Sequence, residues 1–231
     1  MRVVQSFLHW FGFGLCHQLP ERSFFGGGIQ VPVCARDTGI YLGFLISLIV
    51  ISAVHKGDRP REFPAPAGWV AIALMIGAMG FDGVSSYAGF RTTTNDLRLI
   101  TGLLAGYAIA ALLAPMLNDE FWRTGSRQRV LAPTWRLLAW LGTVPVAFVA
   151  IRYGAPWLGV GYPLLVAATI VATLTAVNLV MVCLTPPFER KADRITDAWA
   201  AILIAVVLSF LEIWLSGLLR LWLESTVSRF S

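Results

Sequence analysis

Six long apolar segments constrain the fold of this chain more than any other feature of its sequence. They cover approximately residues 38–55, 67–83, 97–117, 134–152, 157–185 and 197–220. Their lengths approach or exceed the roughly 20 apolar residues that an α-helix needs to cross a bilayer. Only 13% of the residues are charged, against about 25% in soluble domains. We therefore predict an all-α, polytopic bundle of transmembrane helices, with residues 1–231 forming a single integral membrane domain.

A seventh apolar stretch, over residues 3–16, is shorter. Arg2 precedes it, as in a signal peptide, but no small-x-small cleavage site follows it. We therefore expect a retained membrane helix that is short for a full span and is either tilted or re-entrant. With this helix, the prediction is six long spans and one short N-terminal membrane helix, about seven in total.

Two glycine pairs lie inside the apolar segments. Gly39 and Gly43 are four residues apart, as are Gly102 and Gly106. Small residues at this spacing allow helix backbones to approach closely in lipid. We expect close helix packing at both pairs, and they indicate nothing about function.

The basic residues between the apolar segments indicate how the chain is oriented. If residues 3–16 form the first helix and Arg2 lies inside, most other lysines and arginines fall on the side of Arg2. The positive-inside rule makes that side cytoplasmic. We therefore predict a multi-pass protein of the cell membrane, inner or plasma, with a cytoplasmic N-terminus. The same topology places two polar loops, 16–37 and 82–98, on the extracytoplasmic face, where we expect them to form one candidate site.

The first polar loop carries two cysteines in the stretch CHQLPERSFFGGGIQVPVCAR. Cys16 and Cys34 have three interpretations: a structural disulfide, a metal site, or two ordinary buried thiols. In the metal interpretation, His17 is a third ligand and Asp82, from the second loop, is a fourth. Thiolates and imidazole suit zinc, and three protein ligands would leave a position for water, as in catalytic zinc sites. The sequence leaves all three interpretations open.

The second polar loop, FDGVSSYAGFRTTTNDLRLITG, ends where a helix begins. Thr94 or Asn95 is well placed to cap that helix, whose free N–H groups and dipole favour an anion. Arginine suits bidentate binding of phosphate or carboxylate. The residues expected to bind an anion are Arg22, Arg36, Arg91, Asn95 and Arg98. The structural alternative is that these side chains cap helices and reach to headgroup phosphates.

Two polar residues, Asn178 and Glu212, lie inside apolar segments. An acid within a membrane helix is a functional candidate by default. Glu212 is expected either to pair with a neighbour such as Arg220 or to face the bundle interior. His9 and His55 lie at opposite ends of their segments, which argues against a shared bis-histidine haem site.

Three stretches of the chain resemble a known family. CHQLPERSF, PVCARDTGIYLG and FDGVSSYAGFRTTTNDLRLITGLLAG together are similar to the bacterial and archaeal predicted membrane proteins grouped as domain of unknown function 2085. The resemblance covers about residues 10–110. It implies that the two polar loops are the signature of the family, which supports treating them as one site. It implies no activity and no cofactor.

These observations lead to one functional hypothesis and two alternatives. We expect the outer-face site to bind an anionic lipid or polyprenyl phosphate headgroup and, if zinc is present, to act as a hydrolase or transferase on a membrane lipid headgroup. The alternatives are a transporter or channel for a small anion or lipid, with Glu212 and Asn178 along its path, and an accessory subunit of a larger membrane complex. The expected partners are membrane lipids and an anionic ligand, with a homo-oligomer as a further option. Nothing in the sequence resembles a nucleic-acid module.

Overall fold

The computed structural model describes residues 2–227 and folds them into seven α-helices, six of which are long and apolar enough to cross a membrane. The helices are α1 (Arg2–Phe13), α2 (Ala35–Val54), α3 (Pro66–Tyr87), α4 (Asn95–Phe121), α5 (Thr134–Val149), α6 (Gly161–Cys183) and α7 (Trp199–Val227). In the loops, β1 (Phe25–Gly26) pairs antiparallel with β2 (Ile29–Gln30), and β3 (Pro60–Glu62) pairs parallel with β4 (Ser126–Arg129). The prediction of an all-α, polytopic bundle with a short N-terminal helix is confirmed.

The local sequence explains where the helices begin and end. Helix α3 begins at Pro66, whose fixed φ suits the first helical turn. Helix α4 begins after Thr94, whose Oγ1 accepts a hydrogen bond from the Leu97 N–H at 3.2 Å, so Thr94 is the cap and Asn95 is not. Helix α4 continues beyond its apolar segment, and a hydrogen bond of 2.9 Å from Asn118 Nδ2 to the Pro60 carbonyl holds its polar last turns against β3.

Helix α4 is the most buried of the spans and packs closely against α2. A Cβ atom on Gly39 would lie 2.4 Å from the Leu99 carbonyl oxygen, and one on Gly102 would lie 2.0 Å from the Arg36 carbonyl oxygen. Any larger residue would force the two backbones apart, so the expected close packing at the glycine pairs is confirmed. This contact fixes the first turn of α2, which carries Arg36, against the first turns of α4.

The loops form the two ends of the bundle. One, which we call the Cys16 end, contains residues 14–34, 88–94 and 150–160. The opposite end, which we call the His55 end, contains residues 55–65, 122–133 and 184–198. At the His55 end, Asp119 pairs with Arg61 (3.5 Å) and with Arg190 (3.0 Å). The charged connectors that the sequence assigned to one side of the membrane therefore meet at one end.

His55 is buried between the loops of its own end. Its Nε2 accepts a hydrogen bond from the Leu131 N–H at 3.3 Å, and its Nδ1 lies 3.0 Å from Arg136 Nη1. Burial and the neighbouring arginine both disfavour the protonated ring, so the pKa of His55 is lowered from its ordinary value.

Candidate functional site

Cys16, Cys34 and Asp37 bring two sulfur atoms and a carboxylate oxygen to one point at the Cys16 end. Cys16 follows α1, Cys34 precedes α2 at its N-cap, and Asp37 lies in the first turn of α2. Their ligand atoms all lie within 4.8 Å of one another. The Cys34 N–H donates to Cys16 Sγ (3.3 Å), and the Cys34 thiol donates to Asp37 Oδ2 (3.3 Å). Both thiols are free.

Glutamine side chains close the loop between the two cysteines. Gln18 has a left-handed backbone (φ 54°), and its Nε2 donates to the carbonyls of His9 (3.0 Å) and Pro32 (2.7 Å). Gln30 Nε2 donates to the Gln18 carbonyl at 2.9 Å. Gly12 permits this closure, because a Cβ there would lie 1.8 Å from the Pro32 carbonyl oxygen. Hydrogen bonds and close packing therefore bring together two cysteines that are 18 residues apart.

Asp82 is the buried counterion of two arginines. Its side chain is 1% exposed, and its carboxylate accepts hydrogen bonds from Arg36 Nη2 and, at 2.7 Å, from Arg91 Nη2. Each oxygen of the Asp82 carboxylate is therefore bound to an arginine. The structure therefore places Asp37, and not the expected Asp82, beside the cysteines. His17, the other expected ligand, is exposed, and its ring does not belong to the three-atom group.

A cavity of about 150 Å³ lies beside the cysteines. Most of the expected site residues line it, namely Cys16, His17, Arg22, Cys34, Arg36 and Arg98, together with Gln18, Leu19, Ser86 and Tyr87. Arg98 is 7% exposed, and a hydrogen bond of 2.8 Å from its Nε to Thr93 Oγ1 orients it. Between residues 2 and 227, neither Arg22 nor Arg98 has a carboxylate within ion-pair distance. The cavity wall therefore carries positive charge that Asp82 does not neutralise.

Asn95 and Arg91 join the two polar loops and do not line this cavity. Asn95 Nδ2 donates to the Glu21 carbonyl at 3.1 Å, and Arg91 Nε donates to Ser85 Oγ at 2.8 Å. The first bond crosses from the start of α4 to the loop after α1. The two loops that the sequence assigned to one face therefore lie side by side.

Cys16 and Cys34 differ in acidity. The neighbouring Cys34 side chain lowers the pKa of the Cys16 thiol, and the Gln18 backbone acts in the same direction. The contact with Cys16 raises the pKa of the Cys34 thiol, and burial raises it further. Cys16 is therefore the thiol that ionises first, and the thiolate is the form that binds metals and attacks electrophiles.

Asp37 is the site residue that sequence reasoning missed. The available signal was its spacing from Cys34, because residues three apart at the start of a helix lie on one face. Two sulfurs and a carboxylate oxygen are a donor set that zinc accepts, with Zn–S distances of about 2.3 Å and Zn–O distances of about 2.0–2.2 Å. Tetrahedral coordination would place the two sulfurs roughly 3.8 Å apart. The largest separation in the group would therefore need to shorten by about 1 Å.

Asn178 and Glu212 meet where α6 and α7 pack together. Asn178 Nδ2 donates to Glu212 Oε2 (3.1 Å) and to Ser209 Oγ (3.2 Å). The expected pairing of Glu212 with Arg220 is wrong, because Arg220 Nε pairs with Glu224 at 2.8 Å. Glu212 is exposed as a residue, and its Oε2 is turned towards the buried Asn178 of α6.

The chain is similar to proteins of one family. The family model described as "Predicted membrane protein (DUF2085)" matches residues 16–112. An uncharacterized protein of Methanocaldococcus jannaschii is 37% identical over 109 residues, which are 47% of this chain and 67% of that protein. An uncharacterized protein of Methanothermobacter thermautotrophicus is 37% identical over 102 residues, which are 42% of this chain and 83% of that protein. No solved structure matches the chain.

Proposed function

We propose that this chain, which belongs to the DUF2085 family of predicted membrane proteins, holds a zinc ion at the Cys16 end and binds an anionic phosphate-type headgroup beside it. The reaction class that fits this arrangement is hydrolysis or group transfer on a membrane lipid headgroup. Zinc, when bound, would polarise a phosphoryl or acyl oxygen and lower the pKa of a bound water.

The convergence of Cys16, Cys34 and Asp37 carries the proposal. Three metal-ligand atoms within 4.8 Å of one another come from both sides of a closed loop. Glutamine hydrogen bonds and a glycine contact hold that loop in place without a disulfide. Three protein ligands leave one position of a tetrahedral ion for water or substrate, as in catalytic zinc sites.

The cavity beside the cysteines supplies the means to bind an anion. Arg22 and Arg98 line it without carboxylate partners in the described chain, and Arg36 shares its charge with Asp82. Guanidinium groups bind phosphate through paired, charge-assisted hydrogen bonds, which fix the orientation of the group as well as its position. His17 lines the same cavity, and imidazole is the side chain most often used for general acid–base catalysis.

Metal analysis of the purified protein tests this proposal. We expect about one zinc per chain in the wild type, and loss of that zinc in Cys34→Ser and in Asp37→Asn. Cys183→Ser is the matched control, because Cys183 is a buried cysteine in α6, outside the cluster. Wild-type protein that contains no zinc after purification without chelators, and that has a quantitative Cys16–Cys34 disulfide, would refute the metal site.

A further inference from the structure

Helix α1 is too short to cross the membrane. Its 12 residues give a length of about 18 Å, against a hydrocarbon core of about 30 Å. It is also absent from the helices that are long and apolar enough to span. Its contacts with other elements therefore determine where it lies relative to the membrane-spanning helices.

The contacts of α1 keep it at the Cys16 end. The loop after α1 sits on the starts of two spans, since Asn95 of α4 bonds to Glu21 and Gly26 touches the backbone of Gly159 just before α6. Helix α1 lies along this same loop, with the His9 carbonyl bonded to the Gln18 side chain. Helix α1 therefore lies at this end of the bundle, where it also packs against α6 and α7.

Three faces run along α1, and each meets a different environment. Val4, Leu8 and Phe11 pack into the core. Val3, Phe7 and Trp10 are 82%, 54% and 52% exposed, which is what an apolar face in contact with lipid requires. Arg2, Gln5, Ser6 and His9 form the polar face. An amphipathic helix with tryptophan on its apolar face is typical of the membrane interface.

The polar face of α1 covers a second cavity, of about 410 Å³, and Gln18 lies between this cavity and the one beside the cysteines. Its lining residues are Arg2, Gln5, Ser6, His9, Gln18, Gln30, Val31 and Pro32. Arg2 is the one lysine or arginine among them, and it has no ion-pair partner between residues 2 and 227. Gln18 is 8% exposed, and its Oε1 is buried without a hydrogen-bond partner. The site therefore offers one positive charge and several neutral donors.

We infer that α1 is an interfacial helix and that the cavity beneath it binds the phosphodiester headgroup of a phospholipid. A phosphodiester carries one negative charge, which matches the single arginine. The exposed apolar face of α1 places the acyl chains of such a lipid beside Phe7 and Trp10. The inference does not require a metal at Cys16. It places the N-terminus on the same side of the membrane as the cysteines, whereas the topology expected from the sequence placed them on opposite sides.

Lipid binding tests the headgroup assignment. Purified protein in nonionic detergent is titrated with short-chain phosphatidylglycerol, with the matching diacylglycerol, and with glycerol 3-phosphate, and binding is measured by native mass spectrometry. We expect phosphatidylglycerol to bind and Arg2→Gln to weaken it about tenfold or more, as loss of a charge-assisted hydrogen bond predicts. Arg127→Gln, at an exposed position in β4 at the His55 end, is the control and is expected to bind as the wild type does. Equal binding by Arg2→Gln and wild type would overturn the assignment, and so would equal binding of diacylglycerol or glycerol 3-phosphate.

Cysteine labelling tests the position of α1 independently. Gln5→Cys, Thr92→Cys and Asp58→Cys are each labelled in sealed membranes with a membrane-impermeant maleimide, with the wild-type chain as the blank. Thr92 lies in an exposed position at the Cys16 end and Asp58 in one at the His55 end. We expect Gln5→Cys to label from the same side as Thr92→Cys. Labelling from the side of Asp58→Cys would overturn the interfacial placement. Zinc content does not depend on Arg2, so failure of either test is distinguishable from failure of the metal site.

Discussion

Removing the charge of Asp82 should destabilise the protein far more than removing a comparable charge nearby. The Asp82 side chain is 1% exposed, and its partners Arg36 and Arg91 are 16% and 35% exposed. Asp82→Asn keeps the size of the side chain but leaves two guanidinium groups without a counterion. Deleting one partner of a buried ion pair costs about 3–5 kcal/mol. We expect about 3 kcal/mol, the lower end of that range, because Arg91 can turn towards water.

Asp96→Asn is the matched control for this prediction. Asp96 lies in the first turn of α4 at the same end and pairs with Arg152, but the two side chains are 47% and 35% exposed. Exposed pairs contribute about 0–1 kcal/mol, because water solvates both partners when the pair is broken. The same Asp→Asn change at the two aspartates therefore separates the effect of burying an ion pair from the effect of removing a charge.

Reversible unfolding in mixed micelles, followed by circular dichroism, measures both variants. We expect the free energy of unfolding to fall by about 3 kcal/mol for Asp82→Asn and by less than about 1 kcal/mol for Asp96→Asn. Equal losses would refute the argument that Asp82 is a buried counterion. If Asp82→Asn does not fold, Arg91→Gln removes only the more exposed pair and should cost about 1 kcal/mol.

Three further predictions concern packing, pH dependence and thiol reactivity. Gly102→Ala should cost about 1–3 kcal/mol of unfolding free energy, because its Cβ would lie 2.0 Å from backbone, whereas Gly142→Ala, which meets nothing within 4 Å, should be close to neutral. The neutral His55 ring stabilises the fold fully above about pH 6.5, and this contribution is lost as the pH falls from there towards the lowered pKa of His55 in the folded state. His55→Asn should therefore flatten the pH dependence of the unfolding free energy measured between pH 8 and pH 5.5. Iodoacetamide should modify Cys16 of the metal-free protein before Cys34, as read by peptide mass mapping, and the reverse order would contradict their assigned acidities.

The sequence predicted the number and kind of the helices well because hydropathy is a one-dimensional property. Each long apolar segment became one span, and the short stretch after Arg2 became a short helix. Helix ends were predicted less well, since they depend on tertiary contacts. Helix α4 runs past its apolar segment to Phe121, where Asn118 bonds to the loop before α3. Such a contact has no local signal.

The sequence predicted which residues gather at the site but not which of them contact one another. Six of the expected residues line one cavity, since topology alone put both loops at one end. The rotation of α2 and α3 about their axes decides whether Asp37 or Asp82 lies beside the cysteines. The spacing of residues in the loops does not determine this rotation, so the sequence led to Asp82. Glu212 shows the same limit, because its partner is Asn178 on α6 and not Arg220 on its own helix.

The part of the chain shared with the family contains the whole cluster but not all of its support. Residues 16–112 include Cys16, Cys34 and Asp37. In this chain, Arg220 of α7 donates to the carbonyls of Phe13 (2.6 Å) and Cys16 (2.7 Å). The matched residues contain α2, α3 and most of α4, and α7 adds a brace that holds the end of α1 against the cluster.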